Sequence, residues 1–196
     1  MEHPEFDDEL DVEAELATAR NLILSGEHSE GVRHLGFAAA LDPAHPDVDD
    51  LLGVVLDEAG EQAPDTVEPA KPGALSAGEA AVRAWFLRGL GRVEEAVDLL
   101  LQAVGSDPER RWSVWLVQWL EEDPDLAVPA ATLVATCGAL IQPARHEEPS
   151  EAYAATLADI TAAIERAIAG DPGNAQIRSA GSGLARRTGR AGDAVR

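Results

Sequence analysis

The sequence predicts an all-α protein built of antiparallel helical hairpins. Three observations predict it. Apolar residues recur at helical spacing along most of the chain, no stretch alternates convincingly with period two, and one segment pattern returns three times at near-constant separation. Alanine is abundant and β-branched runs are short, which favours helix. The 196 residues are 45% hydrophobic and 26% charged, enough to bury the core of one domain or one short repeat array.

Leu10, Ala14, Ala17 and Leu22 mark a first helix, and Val32, Leu35, Ala39 and Leu41 a second. Leu51, Val54, Val55 and Ala59 suggest a third. Val82, Trp85, Phe86 and Leu90 mark the next, and Val93, Ala96, Val97, Leu100 and Ala103 the one after it. Helical spacing then continues over 112–120, 126–140, 153–168 and 177–185. Asp42-Pro43, Asp107-Pro108, Asp123-Pro124 and Asp171-Pro172 each set an aspartate before a proline, which reads as an N-cap and first turn. Ser76 and Glu79 have capping-box spacing. Gly26, Gly91 and Gly189 fall where helices should end and the chain reverse. Residues 60–75 hold Pro64, Pro69, Pro72 and Gly73 and read as a loop or linker. The expected organisation is an acidic tail over 1–9, a first hairpin plus an extra helix over 10–59, that loop, and further hairpins over 76–196 with the last incomplete.

The recurring segments run from Gly31 to Pro43, Ala96 to Pro108 and Ile160 to Pro172, with prolines 65 and 64 residues apart. That spacing is close to twice the roughly 34-residue period of helical-hairpin arrays, so an odd hairpin is expected in each gap. The segments resemble tetratricopeptide (TPR) repeats, in which the second helix of each hairpin carries a small, large, small, proline series. Gly31, Leu35, Ala38 and Pro43 match that series, as do Ala96, Leu100, Ala103 and Pro108. In the third copy Ile160 departs, whereas Ile164, Ala167 and Pro172 match. In the first helices Ala19 with Leu22 and Ala84 with Leu87 take the small and large positions, but the family's tryptophan and tyrosine are absent. Residues 175–190 look like the first helix of another repeat, which suggests a longer protein or a last helix that packs on something else. The resemblance implies a short TPR-like α-solenoid that recognises a protein or peptide through its concave groove, with no cofactor and no chemistry of its own. A regulatory repeat of a larger effector enzyme, such as a peptidase with its catalytic part elsewhere, is the alternative.

Charge narrows the partners. Acids outnumber Lys and Arg by 36 to 15, a net charge of −21, which argues against nucleic acid and anionic lipid as ligands. The imbalance is concentrated in residues 1–70, at −17, while residues 151–196 carry +1. A basic partner, or a second copy of the chain arranged head to tail, suits such a gradient. No apolar run reaches membrane-spanning length, and the N-terminus lacks the features of a signal peptide, so a soluble cytoplasmic protein is expected.

Catalytic and metal motifs are weak. His146-Glu147-Glu148 lacks the second histidine of a zinc-peptidase helix. His28 and His34 are six apart, a poor spacing for sharing a helix face. Asp47, Asp49 and Glu58 fit parts of a calcium-loop template, but Leu52 replaces its central glycine. Gly89-Leu90-Gly91 comes after a helix instead of a strand and reads as a hairpin turn. Cys137, the single cysteine, reads as a small buried hydrophobe. The candidate partner-binding residues are Trp112, Trp115 and Trp119, a stripe at i, i+3 and i+7, with Arg110 and Arg111 beside it. The competing reading of that stripe is a wedge between neighbouring hairpins.

Overall fold

The computed structural model describes residues 11–67, 75–141 and 150–189. Among them every regular element is helical. The α-helices are α1 (Val12–Leu24), α2 (His28–Leu41), α3 (Pro46–Ala59), α4 (Ala77–Gly89), α5 (Val93–Ser106), α6 (Ser113–Glu122), α7 (Ala130–Ile141), α8 (Glu151–Gly170) and α9 (Ala175–Arg187). The opening stretch of the 60–75 segment is not loop: Gly60–Thr66 forms a 3-10 helix, with Ala63 and Val67 buried. Those two apolar side chains tie it to the core despite Pro64.

The chain reverses where glycine allows it. Gly26 and Gly91 have φ of +84° and +76°, a region that costs a side chain energy but not glycine. In the first turn the Glu27 N–H donates to the Leu22 carbonyl at 2.9 Å; in the second, the Arg92 N–H donates to the Leu87 carbonyl at the same distance. These bonds close α1 and α4 identically and fold α2 and α5 back on them. Gly189, at φ +77°, ends α9 in the same left-handed conformation.

The Asp-Pro pairs do the opposite of what their sequence suggests. Asp42, Asp107, Asp123 and Asp171 are the C-caps of α2, α5, α6 and α8, not N-caps of the helices after them. The next residue's ring excludes α geometry at each aspartate, so the helix must stop there. Each Asp N–H still reaches back four residues, to Ala38, Ala103, Trp119 and Ala167. In three cases the carboxylate accepts the N–H two residues on, from Ala44, Asp125 and Gly173. Helix starts are capped by other side chains: His45 for α3, Ser76 for α4 and Asn174 for α9.

The buried side chains form one continuous cluster from Leu16 to Leu184. On α1 the buried face is Leu16, Ala19 and Ile23, while Ala14 and Ala17 are exposed. Spacing alone points to the wrong stripe here because small alanines match helical periodicity on either face, whereas burying Leu and Ile gains more. Along the chain, α1 pairs with α2 and α4 with α5; α2 then packs on α4, α5 on α7, and α7 on α9. The single helices α3 and α6 lie outside these pairs, with α6 packing on α5 and α8. Among the described residues, the 65-residue interval holds one hairpin, α4 with α5, together with α3 and the 3-10 helix Gly60–Thr66, where the spacing suggested two hairpins. The third copy is irregular, since α8 packs more on α6 and α9 than on α7.

Candidate functional site: a groove between the first two hairpins

Where α2 crosses α4, two glycines bring the backbones together. A Cβ on Gly78 would sit 3.3 Å from the Gly36 carbonyl oxygen and 3.7 Å from Cζ2 of Trp112. The start of α4 is fixed at this point by a reciprocal capping box. The Ser76 N–H donates to the Glu79 carboxylate at 2.6 Å, and the Glu79 N–H donates to Ser76 Oγ at 3.3 Å. Beside the crossing lies a groove of about 310 Å³ whose walls include Val32, Gly36, Phe37, Gly78 and Trp112.

Phe37 is an exposed large apolar side chain of this groove, at 45%. Its ring meets His34 edge-on at 6.0 Å, and His34 Nδ1 lies 2.6 Å from a Glu15 carboxylate oxygen, so the ring has a braced neighbour. Arg33 and Arg110 form part of the rim. Arg33 pairs with Glu30, and Arg110 reaches the Ala40 carbonyl at 3.5 Å and Asp107 at 3.9 Å. The arrangement is an apolar trough edged by two guanidinium groups, each held by a carboxylate, with Glu79 and Asp107 also in its lining. It can accept an apolar side chain while its rim meets polar groups on either side of it.

The five residues singled out from sequence separate here. Trp112, Trp115 and Trp119 are all buried, at 1%, 0% and 5%, so the stripe is core and not an open contact surface. The reason is position: α6 is covered by α5 and α8. Trp115 donates its indole N–H to the Pro43 carbonyl at 2.8 Å, locking α6 to the turn after α2. Trp112 stacks at a tilt on Trp115, 5.9 Å between ring centroids, and its N–H has no acceptor among the described residues. Arg111 lies 3.5 Å from Asp159, which also accepts the Ser113 hydroxyl at 2.7 Å, so it fastens α6 to α8. Only Trp112 and Arg110 come together at the groove. Sequence reasoning missed Phe37, Gly36 and Gly78. The available signal was Phe37, a large apolar residue off the buried stripe of α2.

The remaining motifs disperse. Asp47 pairs with Arg20 at 2.9 Å, Asp49 accepts from the Trp85 indole at 3.0 Å, and Glu58 meets His28 at 3.0 Å, so the calcium template is spent on separate contacts along α3. Cys137 is wholly buried, and burial pushes its thiol up to about 12, which keeps it protonated and unreactive. Among the described residues no group of three or more His, Cys, Asp or Glu is placed to hold a metal ion, and no helix is long and apolar enough to cross a membrane. His146, Glu147 and Glu148, and the acidic tail over 1–9, lie outside the described residues.

Fold and groove together define a class: an all-helical protein of repeated hairpins with an apolar trough between two of them. A scan against protein-family models, a search of the curated proteins and a search of the solved structures each return no match.

Proposed function

We propose that this chain is a non-catalytic interaction module, a short TPR-like solenoid whose groove between α2 and α4 holds a segment of a protein or peptide partner. The observation that carries the reading is the half-exposed Phe37 over the apolar trough of about 310 Å³. An exposed aromatic beside a preformed apolar recess is the usual anchor of such contacts. The TPR-like part rests on the two regular hairpins. Leu35 and Ala38 on α2, and Ala96, Leu100 and Ala103 on α5, are buried at the positions the resemblance assigns to hairpin packing. The partner segment carries a large apolar residue for the trough. Arg33 and Arg110 are already paired with Glu30 and Asp107, so the rim does not repel basic residues flanking the apolar one, and these suit the net charge of −17 over residues 1–70.

The test is a displayed-peptide selection on the intact chain, with counter-selection on Phe37→Asp. Segments enriched on the wild type are expected to share a large apolar residue near Lys or Arg. They should bind Phe37→Asp at least roughly tenfold more weakly, the scale of losing one interface anchor. The thermal midpoint of the variant should stay close to that of the wild type, since Phe37 is not core. Equal binding by the variant, or no enrichment, removes the proposal.

A further inference from the structure

Glycine inside a helix costs stability relative to alanine, because it loses the most backbone freedom on folding. Two buried glycines stand inside α2, Gly31 and Gly36. Packing accounts for the first: a Cβ there would lie 2.7 Å from Cγ1 of Ile23, too close for α1 and α2 to pair as they do. Packing also accounts for Gly78, whose Cβ would press to 3.3 Å from the Gly36 carbonyl oxygen. Gly36 has no such reason. Its Cβ would meet nothing nearer than the Gly78 carbonyl group at 3.8 Å, with Val82 Cγ2 at 3.9 Å, which is ordinary contact. An alanine therefore fits, and the helix would gain from it. What the methyl group would take is room, because Gly36 and Gly78 both line the trough beside the crossing.

We infer that Gly36 is the specificity-determining residue of the trough: its bare backbone admits an aromatic side chain of the partner segment, which a methyl group at position 36 would exclude. The inference rests on the proposed function and names the anchor that it requires. The trough, of about 310 Å³, is twice the roughly 150 Å³ of an apolar cavity that holds benzene, so a ring fits with room to spare. Two of its walls are aromatic, Phe37 and Trp112, and aromatic pairs gain from offset and edge-on contact beyond the area they bury. A flat ring can also lie against bare backbone more closely than a branched aliphatic side chain can. Lys or Arg beside that ring meets the net charge of −17 over residues 1–70. A methyl group at position 36 would stand about 1.5 Å above the backbone. Apolar pockets discriminate at the level of a single carbon, by roughly tenfold or more.

The test is a displayed-peptide selection run side by side on the intact wild type and on Gly36→Ala, with urea denaturation of both. The wild type should enrich Trp, Phe or Tyr at the anchor position, and Gly36→Ala should enrich smaller apolar residues there. Aromatic segments selected on the wild type should bind Gly36→Ala roughly tenfold or more weakly, while the same segments with Val at the anchor bind both proteins alike. The urea midpoint of Gly36→Ala should equal or exceed that of the wild type. The same anchors enriched on both proteins, equal weakening of aromatic and Val-anchored segments, or a lowered midpoint would each overturn the inference. In those cases sensitivity of the segments to Phe37→Asp leaves the proposed function standing. No enrichment on the wild type, or segments indifferent to Phe37→Asp, would overturn both.

Discussion

Two neighbouring tryptophans separate packing from hydrogen bonding. Trp112 and Trp115 are both buried, yet among the described residues only Trp115 has an acceptor for its indole N–H, the Pro43 carbonyl. Replacing either by Phe removes similar volume. Trp115→Phe also takes the indole donor from a buried carbonyl, whereas Trp112→Phe removes a donor that already goes unmet. Trp115→Phe is therefore expected to be the more destabilising by about 1–3 kcal/mol, the cost of stranding a buried polar group. Urea denaturation of both variants checks the order, and equal losses would mean that the bond to Pro43 contributes nothing net.

Between elements, a polar contact joins α3 to α4: Asp49 accepts from the Trp85 indole. Burial raises the Asp49 carboxyl above its ordinary value; the indole bond partly opposes this, and the charges of Asp50 and Glu122 add to the rise. The raised value means that the ionised form is less comfortable in the fold than in the unfolded chain. That penalty is fully present above the folded pKa and disappears as pH falls below the unfolded value, about 3.9. Asp49→Asn keeps an oxygen for Trp85 without the buried charge. It is expected to raise the denaturation midpoint at pH 7 and to lose that advantage near pH 3. An unchanged or lowered midpoint at pH 7 would show that the carboxylate is worth more to its surroundings than its desolvation costs. At this scale the sequence was readable where one signal dominated. Apolar spacing located the helices, and Gly26 and Gly91 located the turns. It misled where one signal serves two structures. Asp-Pro can open or close a helix, Ala14 and Ala17 suit either face of α1, and three tryptophans at helical spacing fit a core as well as a surface. The groove was not legible because Gly36 and Gly78 face each other only after both hairpins have formed, and Phe37 matters by failing to fit the buried stripe around it.

At the scale of the whole molecule, two regular hairpins and a looser third set of helices are joined through one core, with a trough open between the first two. The proposed function requires that another chain bind in that trough. Four tryptophans, at 85, 112, 115 and 119, supply indole N–H probes spread from α4 to α6. The most direct measurement is the 15N–1H NMR spectrum during titration with a segment selected on the wild type. Binding in the trough should shift the Trp112 indole and the backbone amides of Phe37 and Gly78 together, while the Trp119 indole stays in place. Shifts confined to α7, α8 and α9, or binding that leaves Phe37 and Gly78 unmoved, would contradict it.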